Sequence, residues 1–288
     1  MTSTNSTLTY EATSRTVSTP DGDLHYHEAG GGPPLLLLHG SGPGVSGWAN
    51  FRGNLPVFAE HFRTLVLDMP GFGKSFDPAG NPVEAAGASV LAFLDALGIE
   101  RLPIVGNSMG GGVAATVAAG HPDRVTRLVT IGGVGTPLFT PIPAEGIKLL
   151  VDFVEDPTRD RLIAWMESMV YDTAVLTDEF VQLRWDSATD PVALAAIRRM
   201  YNREMLANMR TRMMNPARVT MLTQIQAPTL VTFGRDDRVT PLDAMLIPMR
   251  YIPRGEVHIF HDCGHWAMIE RKTEFESVVL SFLRRDDA

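Results

Sequence analysis

The chain has 288 residues, 44% of them hydrophobic, and its mean hydropathy is close to zero, which is typical of a water-soluble globular domain with a sizeable core. A formal net charge of −8 argues against nucleic acid or an anionic membrane as a partner, although a locally basic site for an anionic substrate remains compatible with it. The single cysteine, Cys263, excludes an intramolecular disulfide and is typical of a reducing cytoplasm.

The first segment, residues 1–18, is rich in serine and threonine. It has no basic stretch followed by an apolar core, so it does not have the pattern of a signal peptide. We predict a flexible N-terminal arm there. No apolar run in the chain approaches the roughly 20 residues that a membrane-spanning helix needs, so we expect no membrane partner.

Six short runs rich in leucine, valine or isoleucine are predicted to be β-strands, and they alternate with helical patterns. This alternation predicts an α/β fold with a mostly parallel central sheet flanked by helices. The runs are residues 35–38, 64–67, 102–105, 128–131, 229–233 and 257–260.

Between residue 135 and about residue 220 the strand pattern stops and four helical patterns follow one another. Apolar residues share one face in 147–154 and in 162–170, while Thr177 and Asp190 are predicted to start two more helices. The sequence therefore predicts a core built from residues 19–135 and 221–288, with a helical lid over 136–220. Such an insertion would lie above the carboxyl edge of the sheet, where α/β proteins bind ligands.

The segment 106–110 reads Gly-Asn-Ser-Met-Gly and directly follows an apolar run. This G-x-S-x-G pattern is typical of a nucleophile elbow, in which the serine sits in a strained turn between a strand and a helix. A side chain larger than glycine at Gly106 or Gly110 would clash with neighbouring backbone. The pattern predicts Ser108 as a nucleophile, although five residues alone are a weak signal.

A serine nucleophile needs a base and an orienting acid, which follow it in the chain in the order acid, then histidine. Asp237 and His265 come after the last two predicted strands, so both should reach the same edge as Ser108, and we assign them these roles. Asp236 is adjacent and equally able to ionise, so spacing alone leaves both aspartates open. His258 and His261 are weaker alternatives for the base, and His258 alternates with apolar residues like a strand-face residue.

The loop after the first predicted parallel strand, residues 39–44, reads His-Gly-Ser-Gly-Pro-Gly. Its glycines allow backbone N–H groups to converge on one point. We predict an oxyanion hole made by the N–H of Ser41 or Gly42 together with the N–H of Met109. His39 is expected to brace this loop.

With these pieces in this order, the chain resembles the α/β-hydrolase superfamily over nearly its whole length. Several motifs further resemble the meta-cleavage product hydrolases, which hydrolyse a carbon–carbon bond in the products of ring-opening dioxygenases. The matching segments are 39–44, Trp48-Ala49-Asn50, 106–111, Val170-Tyr171-Asp172, Arg184-Trp185, 234–238 and 263–266.

The resemblance implies a catalytic triad of Ser108, Asp237 and His265, and no metal or organic cofactor. It implies an anionic dienoate substrate of the 2-hydroxy-6-oxohexa-2,4-dienoate type, cleaved to 2-hydroxypentadienoate and a carboxylic acid in aromatic or steroid catabolism. A cytoplasmic homo-oligomer is expected. The residues that it implies for substrate binding are Asn50, Asn107, Arg184 and Trp266.

Each of these substrate-binding residues also has a structural alternative. Arg184 follows Phe180 by four positions, which is compatible with an inward-facing side chain on a lid helix, but without the resemblance an exposed arginine is favoured. Asn50 and Asn107 are also typical of amides that brace turns, and Trp266 of a core residue.

The tail of the substrate stays open, because Ser41 and Val239 are compatible with alkyl or steroid-derived tails, and the segment 138–148 resembles the steroid-degrading branch. Two other functions remain: a carboxylesterase with the same triad, and a non-catalytic ligand receptor on the same fold.

Overall fold

The computed structural model describes residues 8–285, and eight strands form one central sheet. The strands are β1 Ser14–Thr19, β2 Gly22–Ala29, β3 Pro34–Leu38, β4 Arg63–Leu67, β5 Leu102–Asn107, β6 Val125–Ile131, β7 Thr229–Gly234 and β8 Gly255–Phe260. Their order across the sheet is β1-β2-β4-β3-β5-β6-β7-β8. The pairs β1–β2 and β2–β4 are antiparallel, and all other neighbours are parallel.

The predicted sheet of mostly parallel strands is confirmed, because all six predicted runs lie in β3 to β8. Strand β3 shows why its sequence is apolar throughout. Leu36 and Leu38 belong to the hydrophobic core on one face of the sheet, while Leu35 and Leu37 belong to the core on the other face. A strand that is covered on both faces has no position for an exposed polar side chain.

Helices of the core flank the sheet on both faces and lie before β1, between strands or after β8. They are α1 Tyr10–Thr13, α2 Gly47–Phe51, α3 Leu55–Ala59, α4 Pro82–Ala96, α5 Met109–Gly120, a 3-10 helix Leu242–Met245, α12 Leu246–Tyr251, α13 Ala267–Glu270 and α14 Lys272–Leu283. Within the described range 8–285, no helix is long and apolar enough to cross a bilayer.

The N-terminal segment differs from the sequence prediction. The prediction of a flexible arm over residues 1–18 is wrong from residue 10 onward, because α1 and β1 occupy residues 10–19. The ring of Tyr10 packs edge-on against His27 and Trp48, with ring centroids 4.6 and 5.6 Å away, and β1 pairs with β2 along its whole length. These contacts fix the segment to the sheet; residues 1–7 of the predicted arm lie outside the described residues.

The helical insertion predicted between β6 and β7 is present, and it is richer than the four helical patterns suggested. Thr177 and Asp190 cap helices, as predicted, with their side chains accepting backbone N–H groups. Two further helices, α10 and α11, follow, and the last of them extends to residue 223. The elements are α6 Glu145–Glu155, α7 Arg159–Ser168, a 3-10 helix Thr173–Val175, α8 Asp178–Ala188, α9 Pro191–Met200, α10 Arg203–Met213 and α11 Pro216–Thr223.

Candidate active site

Ser108 lies in a tight turn between β5 and α5. Its backbone has φ 50° and ψ −115°, a conformation that side-chain-bearing residues rarely adopt. A Cβ on Gly106 would lie 2.4 Å from the carbonyl oxygen of Gly110, and a Cβ on Gly110 would lie 2.4 Å from that of Leu38. The prediction that both flanking positions require glycine is confirmed, and the turn presents Ser108 at the carboxyl edge of the sheet.

His265 and Asp237 meet at the same edge, after β8 and β7. Nδ1 of His265 lies 2.6 Å from Oδ2 of Asp237, and both side chains are buried. The other carboxylate oxygen accepts the N–H groups of Val239 and Thr240 at 2.7 and 2.8 Å. Because an ionised carboxylate only accepts hydrogen bonds, the Nδ1–H of His265 donates to it, and the lone pair is left on Nε2.

The ring nitrogen that the carboxylate leaves free is the one a base would use. Nε2 of His265 is buried and has no hydrogen-bond partner among residues 8–285. Ser108 and His265 line the same small cavity, so the serine hydroxyl and the free nitrogen share one space. The arrangement therefore brings together a hydroxyl, an imidazole and a carboxylate that orients the imidazole.

The alternatives to this pair lie elsewhere. The carboxylate of Asp236 points to the guanidinium of Arg235, 3.3 Å away, and does not contact His265. His258 is paired with Glu274 of α14, and His261 is paired with Asp262 in the loop after β8. The structure thus joins Asp237, and not its neighbour, to His265.

The loop after β3 approaches Ser108 closely. A Cβ on Gly40 would lie 2.8 Å from Oδ1 of Asn107 and 3.2 Å from Cβ of Ser108, so glycine is needed where the two segments meet. Met109 is the first residue of α5, and the first amides of a helix have no partner within the helix. Gly40 and Ser41 of the loop line the same cavity as Ser108, and the first amides of α5 directly follow the serine in the chain.

Side chains brace this loop from both sides. Nδ1 of His39 donates to the carbonyl of Gly40 at 2.6 Å, and Nε2 accepts the N–H of Met69 at 2.9 Å, which confirms the predicted bracing role. The hydroxyl of Ser41 is hydrogen-bonded to the hydroxyl of Tyr201, at the end of α9 in the insertion. The loop is thereby held both by the core and by the insertion.

The four residues expected to bind substrate are all brought to this site. They line one cavity of about 10 Å³ together with Ser108 and His265: Asn50, Asn107, Arg184 and Trp266. The amides of Asn50 and Asn107 are 3.4 Å apart, and Nδ2 of Asn107 donates to the carbonyl of Ile131 at 3.2 Å. Amide, guanidinium, hydroxyl and imidazole groups thus border the same small cavity as the aromatic rings of Trp165 and Trp266.

Arg184 is a buried cation without an anionic partner. Its side chain is 1% exposed, as the inward orientation on α8 predicted. One nitrogen donates to the carbonyl of Pro43 at a long 3.4 Å, while Nε and Nη2 have no hydrogen-bond partner in the described range. Its guanidinium carbon lies 5.5 Å from the ring centroid of Phe180 and 5.1 Å from that of Trp266.

The surroundings of Arg184 destabilise its charge. Burial, with a smaller contribution from the nearby charge of Arg52, lowers the pKa of Arg184 to about 9. The aromatic faces compensate part of the lost hydration, but two unpaired donors remain. A bound carboxylate would supply both the missing charge and the missing acceptors.

One supporting residue was not found from the sequence. Gly132 follows β6 with φ +55°, and a Cβ there would lie 2.9 Å from Cε1 of His265 and 3.1 Å from Oδ2 of Asp237. The side-chain-free backbone at this position leaves room for the acid–base pair. The signal available in the sequence was the Gly132-Gly133 pair directly after a predicted strand.

A second missed residue is Glu270, which anchors the loop of His265 to the insertion. Its carboxylate accepts the N–H groups of Tyr171 and Gly264, each at 2.7 Å, and burial raises its pKa. The N–H of His265 donates to the carbonyl of Met169 at 2.7 Å. Cys263, in the same loop, is fully buried, and burial raises the pKa of its thiol.

Comparison with known proteins places this geometry in context. A model of the alpha/beta hydrolase fold matches residues 33–272. A 2-hydroxy-6-oxononadienedioate/2-hydroxy-6-oxononatrienedioate hydrolase of Dechloromonas aromatica is 40% identical, and the alignment covers 98% of this chain and 99% of that protein. A hydrolase of the same name from Paraburkholderia xenovorans is 41% identical over 98% of this chain and 99% of its own.

Two solved structures are similar over almost the whole chain. The meta-cleavage product hydrolase of Pseudomonas fluorescens superposes with a TM-score of 0.84 at 29% identity, covering 93% of this chain and 96% of that one. The 2-hydroxy-6-oxo-6-phenylhexa-2,4-dienoate hydrolase of a Rhodococcus species superposes with a TM-score of 0.84 at 30% identity, covering 94% and 99%.

Proposed function

The chain belongs to the alpha/beta hydrolase fold family and, within it, to the meta-cleavage product hydrolases, and from this premise we propose how it carries out its reaction. It is a serine hydrolase that cleaves a carbon–carbon bond in 2-hydroxy-6-oxohexa-2,4-dienoate-type compounds of aromatic catabolism. The observation that carries the proposal is the buried, unpaired guanidinium of Arg184 in the same cavity as Ser108 and His265. An ordinary esterase has no need of such a cation.

Substrate binding is proposed to begin with displacement of the helical insertion, because the cavity of about 10 Å³ holds roughly one water molecule and the dienoate is larger. Arg184 pairs with the carboxylate, and Asn50 and Asn107 bind the carboxylate and the 2-oxygen, while Trp266 packs against the planar dienoate. The dienol is then converted to a keto form with the participation of His265. This step is needed because cleavage leaves a carbon fragment that must accept negative charge.

Cleavage is proposed to follow by nucleophilic attack. Ser108 attacks the 6-oxo carbon and gives its proton to Nε2 of His265, whose Nδ1–H stays bonded to Asp237. The N–H groups of Met109 and of Ser41 or Gly42 stabilise the oxyanion. The hydroxypentadienoate fragment leaves with a proton, and water activated by His265 hydrolyses the acyl-enzyme to a carboxylic acid.

The nucleophile is tested with Ser108→Ala. We expect cleavage to be lost, by roughly four orders of magnitude or more, while the dienolate still binds, because Arg184 and the asparagines are untouched. Loss of the yellow dienolate absorbance measures turnover, and binding is measured by the spectral shift of the bound dienolate. Appreciable turnover by this variant would contradict the nucleophile assignment.

The tail of the substrate is tested with a panel of dienolates. The tails are carboxyethyl, as in the dienedioate that names the relatives at 40–41% identity, phenyl, as in the Rhodococcus protein, methyl, and a steroid-like ring system. We propose the carboxyethyl tail as the preferred one, on the strength of those relatives. p-Nitrophenyl acetate is the control, and ester turnover far above every dienolate would favour a carboxylesterase instead.

The insertion is proposed to act as a lid over the carboxyl edge, since it supplies Arg184 and contacts the loop of Ser41 through Tyr201. The expected homo-oligomer and cytoplasmic location also remain proposals. They rest on the family resemblance and on the single cysteine, and light scattering of the purified protein would test the first.

A further inference from the structure

A second and larger cavity lies beside the catalytic one and has no role in the proposed mechanism. Its volume is about 590 Å³, within the range of small-molecule sites, and we call it the outer cavity. Arg184 and Val45 line both cavities, so these two side chains stand between them. The charged and aromatic residues that line the outer cavity include Trp48, Arg52, Lys74, Glu179, Arg184 and Asp190.

The charges around the outer cavity favour an anion. Arg52, Lys74 and Arg184 contribute three cations. Of the two acids, Asp190 is engaged as the cap of α9, where it accepts two backbone N–H groups at 3.0 Å. Glu179 is exposed, and is the one acid on this wall without a capping bond.

The cations of the outer cavity are poorly neutralised. Lys74 lies over the ring of Tyr10, 4.6 Å from its centroid. Arg52 is exposed and forms no ion pair within residues 8–285, and its charge acts on the buried Arg184. Arg184 itself keeps Nε and Nη2 without partners although it is almost completely buried. Two guanidinium groups thus border the outer cavity, and neither forms an ion pair with a carboxylate within residues 8–285.

We propose that the outer cavity is a second carboxylate site, in which Arg52 and Arg184 bind a planar conjugated carboxylate and Trp48 packs against its chain. The inference rests on the proposed function, because the substrate and the released hydroxypentadienoate both carry this group. Arg184 is then shared by two sites, and an anion reaches or leaves Ser108 by passing from one guanidinium to the other.

Binding is tested by calorimetry of the Ser108→Ala protein with sorbate (hexa-2,4-dienoate), a stable conjugated carboxylate. We expect two sorbate sites per chain, and adding Arg52→Gln should weaken one of them by roughly tenfold. The matched control is Arg101→Gln, an exposed arginine directly before β5 and so at the opposite edge of the sheet, which should keep both sites. One site per chain, or two sites unchanged by Arg52→Gln, overturns the inference.

Kinetics with the active protein distinguish the two sources of the carboxylate. If the outer cavity receives substrate, Arg52→Gln lowers kcat/KM severalfold. If it receives the released fragment, the first turnover is unchanged and the steady rate after it changes. If sorbate binding depends on Arg52 but no dienolate is cleaved, the proposed function is contradicted and the second carboxylate site is supported. Cleavage with no effect of Arg52→Gln on binding or on either rate would remove the site alone.

Discussion

Arg184 is the residue whose environment departs furthest from that of an ordinary arginine. It lines the catalytic cavity with Nε and Nη2 unpartnered within residues 8–285, and a buried charge without a counter-ion lowers stability. Charge-assisted pairs between arginine and carboxylate are short and directional, so the cation also fixes which end of the substrate faces it.

Replacing Arg184 by glutamine should therefore weaken binding of the dienoate. We expect KM to rise by roughly 10- to 100-fold with a smaller fall in kcat, because the lost contact exists in the ground state and in the transition state alike. Steady-state kinetics with the dienolate measure this. Arg101→Gln, at an exposed position directly before β5, is the matched control and should leave both constants unchanged; an unchanged KM for Arg184→Gln would contradict the carboxylate role.

Gly132 makes a second residue-scale prediction. In Gly132→Ala the new Cβ would lie about 3 Å from the ring of His265 and from Oδ2 of Asp237. The alanine would also have to adopt the positive φ of this position. We expect kcat to fall by roughly 10- to 100-fold, since small displacements of catalytic groups are costly, and stability to fall by about 1 kcal/mol. Measurements are steady-state kinetics and denaturant unfolding.

The control for this variant is Gly87→Ala, inside α4, where a Cβ would meet nothing within 4 Å. Because alanine is the better helix former, that change should raise stability by about 0.5–1 kcal/mol and leave kcat unchanged. Equal kinetics of the two variants would show that space beside the acid–base pair does not matter.

Site residues that lie in a short sequence motif could be predicted. Residues whose role depends on contacts between distant segments of the chain could not. Ser108 is indicated by its flanking glycines, whereas Arg184 is indicated by the family resemblance, because its spacing from Phe180 alone leaves an exposed arginine as the favoured interpretation. Which aspartate contacts His265 depends on the turn after β7, and the requirement for glycine at 132 depends on two loops from other strands. Neither of these contacts leaves a pattern within a short window of sequence.

At the scale of elements, the hairpin of β1 and β2 is the part of the fold that the sequence concealed. The parallel strands are apolar because both of their faces are covered, whereas β1 is a half-exposed edge strand with the sequence Ser-Arg-Thr-Val-Ser-Thr. Strand β2 buries two histidines, which alternate with the core residues Leu24 and Tyr26, and His25 contacts the buried carboxylate of Asp68 at 2.8 Å. A strand with such polar pairs lacks the continuous apolar run by which the parallel strands were predicted.

The same hairpin predicts a pH dependence of stability. Burial lowers the pKa of His27 to about 4, and its Nδ1 is hydrogen-bonded to the hydroxyl of Thr13. Between pH 6.5 and about 4 the unfolded chain binds a proton that the folded chain excludes. The free energy of unfolding should therefore fall as the pH is lowered through this window, by at most about 3 kcal/mol from this residue.

Denaturant unfolding at several pH values measures this contribution. His27→Gln should flatten the profile between pH 6.5 and 4 relative to the parent protein, while His121→Gln, at an exposed position, should leave the slope unchanged. Parallel profiles for the parent and His27→Gln would contradict a neutral, buried His27.

For the whole molecule, a small set of polar contacts joins the helical insertion to the core. Arg199, near the end of α9, is hydrogen-bonded to the carboxylate of Asp77 and to the carbonyls of Pro78 and Gly80, all in the core loop before α4. Arg203 instead pairs with Asp152 and Glu155 within the insertion. Arg199 therefore ties the helical insertion to the core.

Arg199→Met should loosen this tie. We expect amide hydrogen exchange in residues 191–213 to accelerate severalfold, while the free energy of global unfolding changes by less than about 1 kcal/mol, because the ion pair is partly exposed. Arg210→Met, an exposed arginine on α10 with no ion pair within the described chain, is the control and should exchange like the parent. Identical exchange of the two variants would show that Arg199 does not restrain the insertion.

The burial of Cys263 has a practical consequence for watching these movements. The chain contains no other cysteine, and this thiol is inaccessible and held in its protonated, unreactive form. The parent protein should thus not react with maleimide reagents. A single cysteine placed at the exposed Leu183 of α8, beside the outer cavity, then carries the only fluorescent label, without any need to rebuild the loop that holds His265.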